Sequence, residues 1–89
     1  MAEPVGGLVH RHFKGADKKY FVFGVATHVD TKKKHVVYMS LYGENAGVML
    51  LRDYDEWLAD VENRKLENGE TYSGDRFWPL APQPTLKLG

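Results

Sequence analysis

The sequence predicts a mainly β fold: a five-stranded, partly open barrel with one short helix after its fourth strand. Three observations point there. Between Leu8 and Leu51 the chain is a succession of strand-length runs rich in Val, Tyr and Phe, broken by Gly and by a Lys cluster, and such residues favour a pleated, half-buried surface. A single segment, opening at Asp53, carries helix-start and i, i+4 signals. Five Tyr, four Phe and two Trp, with no Cys, leave a small core to be held by aromatic packing in place of disulfides.

Residues 1–7 end in Gly6-Gly7 and are expected to form a flexible N-terminus. One domain, 8–80, follows. Leu8 to Phe13 alternates loosely between apolar and polar, as a half-buried strand does. Gly15-Ala16-Asp17 reads as a turn. Tyr20 to His28 is the strongest strand, with Phe21, Phe23 and Val25 on one side and Val22, Gly24 and Ala26 on the other. Apolar or small residues on both sides predict a central strand, curved at Gly24. Asp30 to Lys34 is a hairpin loop, and His35 to Tyr42 returns as its partner. Gly43 to Gly47 turns the chain into a fourth strand, Val48 to Leu51.

Asp53 can cap the helix, with Glu56 at the capping-box position. Tyr54 and Leu58 fall at i, i+4, beside Trp57 and Val61, so Trp57 is expected to bury its indole against the barrel. Asn68-Gly69 marks a tight turn. Arg76-Phe77-Trp78 reads as the last strand. Pro79, Pro82 and Pro84 then end the fold, leaving 81–89 as an extended Pro-rich C-terminal tail.

Twelve basic residues balance twelve acidic ones. Because phosphate neutralisation supplies most nucleic-acid affinity, no DNA partner is expected. No apolar leader follows Met1, and no run approaches the ~20 apolar residues of a membrane span. A cytoplasmic monomer away from membranes is the expectation. Charge is unevenly placed, with 10–34 mainly basic and 53–70 mainly acidic.

Several ordered motifs carry a family resemblance. His12-Phe13-Lys14-Gly15, Gly24-Val25-Ala26-Thr27-His28 and Val36 to Gly43 resemble successive signatures of the domain-of-unknown-function 1653 family. Arg52, Trp57 and Val61, and then Arg76-Phe77, are similar to its later segments. Asp53 stands where that family usually has Pro, and the stretch from Val61 to Arg76 is longer than usual. The resemblance covers roughly residues 8–77 and implies a small bacterial SH3-like barrel. It implies no activity.

The candidate chemistry is sparse. His10 and His12, two apart on a strand, project from one face, and with His28 or His35 they could seed a metal site. Strand histidines with structural hydrogen bonds are the plainer reading, and no cofactor or metal is expected. Ser40 lies within a strand and not on an exposed elbow, so nucleophilic catalysis is poorly served. Lys32-Lys33-Lys34 reads as a solvated hairpin tip. Two function classes follow. The leading one is a small non-catalytic binding module for a protein segment or RNA. The alternative is a metal- or small-molecule-dependent enzyme using His10, His12 and His28.

For a binding module the candidate residues are His12, Lys14, Tyr42 and Arg52. They flank the first and third turns, where Arg and Lys could meet phosphate or carboxylate and Tyr42 could stack. Alternatively, His12 and Tyr42 make internal hydrogen bonds and Arg52 pairs with a helix acid.

Overall fold

The computed structural model describes residues 1–81. In chain order the elements are β1 (Val9–His12), β2 (Gly15–Thr27), β3 (Lys34–Ser40), β4 (Met49–Asp53), α1 (Tyr54–Leu58), β5 (Val61–Lys65), β6 (Thr71–Gly74) and β7 (Phe77–Pro79). Five strands form one antiparallel sheet in the order β4-β3-β2-β1-β7, while β5 and β6 pair separately. β2 is central, as its apolar faces suggested. The sheet does not close, because β4 and β7 remain its two edges.

The first turn is not where the sequence puts it. Gly15-Ala16-Asp17 is not a turn but the start of β2, since His12 pairs with Gly15 and the chain reverses through Phe13-Lys14. The Lys14 backbone N–H donates to His12 Nδ1 at 3.1 Å and tightens that reversal. The Asn68-Gly69 turn forms as expected, and it joins two further strands, β5 and β6, that the sequence does not announce. The first of them buries Val61 alone, so it lacks the alternation that would signal a strand.

The helix forms at Asp53 as expected but ends at Leu58, so Val61 opens β5 and does not continue the helical face of Trp57. Asp53 Oδ1 accepts the Glu56 backbone N–H at 3.1 Å, and Trp57 is 1 % exposed. The return arm of the capping box is missing, because the Glu56 carboxylate is taken by Arg52.

Register assigns the faces. Val22↔Tyr38, Tyr38↔Leu50 and Val36↔Arg52 form core-side rows. Val22, Val36, Tyr38, Trp57 and Phe77 make the core, with Tyr20, Leu50, Tyr54 and Leu58 packed around it. Between Val22 and Gly24 the pairing slips by one residue. Phe23 is the extra residue of a bulge, and Gly24 takes φ 156°, a conformation that disfavours a side chain. The slip brings Val25 opposite Val36 on the core-side row. Phe21, Phe23 and Val25 therefore do not share one face, because one inserted residue reverses the alternation.

Residues 5–8 are tied to this sheet. Gly7 N–H donates to the Val22 carbonyl at 2.8 Å, and Val5 N–H donates to His10 Nε2 at 3.1 Å. The expected Pro-rich tail lies, from Pro82 onward, outside the described residues.

Candidate functional site

At the end of the core face away from the β2–β3 hairpin, four elements converge on the Phe77 ring, β2 among them through Tyr20 at 5.7 Å. Trp57 stacks on it with centroids 3.9 Å apart, and His12 meets it edge-on at 4.9 Å. The Arg52 guanidinium carbon lies 5.5 Å from its centroid. Beside this cluster opens a cleft of about 250 Å³, lined by Tyr20, Tyr38, Ser40, Tyr42, Leu50 and Arg52 and edged by Gly43, Glu44 and Asn45.

The strand ends place each group. Ser40 closes β3, where its Oγ donates to the Tyr42 carbonyl at 2.9 Å, a local bond that turns the chain out of the strand. Tyr42 is thereby aimed back at β2, and its hydroxyl hydrogen-bonds that of Tyr20 at 2.8 Å. The Lys18 ammonium sits 5.4 Å from the Tyr42 ring centre. Arg52 occupies a core-side position of β4, opposite Val36. Its Nη1 reaches Glu56 at 2.6 Å, four residues on, and its Nε is buried without an acceptor. Arg76 Nε is likewise buried and unpaired among the described residues.

The charges that bear on His12 are all positive. His12 is pulled from 6.5 down to about 4, first by burial and then by Lys14, Arg52, Arg76 and Lys18. Its Nδ1 accepts from Lys14 N–H, so the neutral ring carries its proton on Nε2. Burial is also the first cause of the raised Tyr20 phenol, followed by its bond to Tyr42. Four cations around a neutral imidazole, with two arginine Nε–H groups lacking acceptors, form a positive field with unused donors. Buried unpaired donors cost free energy that an incoming acceptor relieves. A carboxylate or phosphate fits that chemistry.

Of the residues expected from sequence, Tyr42 and Arg52 line the cleft, while Lys14 and Arg52 are among the cations acting on His12. All three expected internal contacts are present too: Tyr42 is bonded to Tyr20, His12 accepts the Lys14 N–H, and Arg52 pairs with the helix acid Glu56. Lys18, Tyr20 and Arg76 belong to the same cluster and were missed. The signal for Tyr20 and Lys18 was their alternation along β2, obscured by the misplaced turn at Gly15.

The histidines are dispersed. His10 is fully buried, donating from Nδ1 to the Leu8 carbonyl and accepting Val5 N–H at Nε2. His28 lies past the far end of β2, where its Nδ1 accepts from Asp30 and Thr31 N–H. No group of three or more His, Cys, Asp or Glu with metal-binding proximity occurs among the described residues. Among them, too, no helix is long and apolar enough to cross a membrane.

The family model described as protein of unknown function (DUF1653) matches residues 8–79. The chain belongs to this family. The match takes in all seven strands and the helix, so every residue of the cleft lies within the DUF1653 region. No curated protein and no solved structure matched the chain.

Proposed function

We propose that this DUF1653 protein is a non-catalytic binding module, a bacterial, cytoplasmic, SH3-like scaffold that captures a protein segment by an anionic side chain. The carboxylate or phosphate enters the Tyr42–Arg52 cleft. The observation that supports this is the convergence of Lys14, Lys18, Arg52 and Arg76 on a His12 held neutral. Arg52 supplies the donors that face an oxyanion, Lys18 adds charge at the Tyr42 ring, and the paired tyrosines form an aromatic wall.

A protein segment suits the site better than RNA. RNA presents a phosphate at every nucleotide and is held along an extended basic track. Here the positive groups act together on His12, Arg52 alone of them lines the cleft of about 250 Å³, Glu44 edges that cleft and Glu56 pairs with Arg52. That space takes one charged group with the residues either side of it.

The test is a fluorescence anisotropy panel using a Glu-rich decapeptide, a phosphoserine decapeptide and an oligouridine. The expected result is binding of an anionic peptide that weakens with salt and falls at least about tenfold in Arg52→Ala, the loss of one charge-assisted contact. Preference for oligouridine through the same residues would replace the protein-segment reading with an RNA one.

A further inference from the structure

The side of the five-stranded sheet opposite the cleft is apolar in two consecutive register rows. One row runs Met49↔Met39↔Phe21↔Val9 across β4, β3, β2 and β1. The next runs Leu51↔Val37↔Gly24, with the bulged Phe23 packed on Phe21 at 5.1 Å. Leu41 continues the face past the end of β3. Met49 is 62 % exposed, Leu51 66 %, Phe23 45 % and Leu41 43 %.

Antiparallel sheets that face water on one side normally carry polar residues there. Single exposed hydrophobics are ordinary, but a contiguous patch of this kind marks an interaction surface. With large side chains presenting roughly 150–200 Å² each, these four exposed fractions amount to about 320–430 Å² per copy. Two such faces together bury about 650–850 Å² from these four side chains alone, the size of a weak, reversible contact, and the half-buried Val9, Phe21, Val37 and Met39 of the same rows add to it.

We propose that two copies of this chain pack these faces together as a symmetric dimer, sheet on sheet. A two-fold contact needs a patch that complements itself, and the two rows of Met, Leu, Val and Phe carry no charge, while Arg11 and Lys19 of the next outward row stand at their margin. Aligned sheets pack about 10 Å apart through such interdigitating side chains. The cleft lies on the reverse of the sheet, so both clefts stay open and point away from the interface. The inference stands on the outward face alone and does not depend on what the cleft binds.

Sedimentation equilibrium on the full chain tests it, with Leu51→Lys, Met49→Lys and Arg52→Ala alongside. Positions 49 and 51 are mostly exposed, so both lysine variants should fold, which circular dichroism checks. The expected result is a wild-type dimer with a micromolar Kd, as small interfaces give. Each lysine variant should dissociate at least about tenfold more readily, since a charge is then buried in the contact. Arg52→Ala should self-associate as wild type. A wild-type chain that stays monomeric up to about 1 mM, far above that range, overturns the dimer and leaves the face to a different partner. A dimer unaffected by both lysine variants overturns the assignment of the face.

Discussion

The hydroxyls of Tyr20 and Tyr42 are 2.8 Å apart and share one hydrogen bond. That bond joins the middle of the central strand to the connection between β3 and β4, and it sets one wall of the cleft. Tyr42→Phe removes it and leaves the half-buried Tyr20 hydroxyl without this partner. The expected cost is about 1 kcal/mol, the net worth of one hydrogen bond, measured as a lower urea midpoint at unchanged m-value. An unchanged midpoint would show that the tie does not hold the wall.

Trp57 is the anchor of the helix. It is 1 % exposed, stacked on Phe77, and edge-on to Tyr38 at 5.3 Å and to His10 at 5.9 Å. Trp57→Ala opens a cavity where all of these meet, and a loss of roughly 3–5 kcal/mol is expected. Chemical denaturation measures it. A loss below about 1 kcal/mol, the size of a surface change, would contradict the buried position.

The two core-face histidines make stability depend on pH. His10 and His12 both bind protons less readily folded than the ordinary 6.5, each chiefly through burial. The unfolded chain therefore takes up protons first as pH falls. Their contribution is intact above about 6.5 and is lost progressively toward about 4, where His12 protonates in the fold. Protonating His10 also removes the Nε2 acceptor that holds Val5 N–H. Urea midpoints should fall between about pH 7 and pH 5, before most carboxylates titrate. Equal midpoints would contradict the neutral, buried state of these rings.

Sequence patterning revealed what is periodic and missed what is not. The central strand, its β3 partner and the Asp53-capped helix were readable because apolar spacing and a cap residue announce them. β5 and β6 were not, because one buried residue, Val61, is all the hydrophobic signal their first strand carries. The bulge was half readable: Gly24 marked a bend, but nothing local shows that Phe23 is the residue squeezed out. That slip decides which face Val25 shares, and pairing with a distant strand settles it. For the cleft, motif positions brought His12, Lys14, Tyr42 and Arg52 into view. Lys18 and Arg76 escaped because only the tertiary fold brings them near His12.

An anion held in the cleft acts on the His12 ring, which reports on it directly. Binding a negative group beside His12 offsets the surrounding cations, so bound His12 must take up a proton more easily. By reciprocity the peptide binds more tightly as pH falls toward that midpoint. The decisive measurement is an NMR pH titration of the His12 ring with and without the phosphoserine decapeptide, with backbone amides followed together. The expected result is a midpoint raised above about 4, joint shifts in residues 10–18 and 40–52, and loss of both effects in an Arg52→Ala variant whose folding circular dichroism confirms. A His12 midpoint that does not move at saturating peptide, or amide shifts confined to another face, would contradict it.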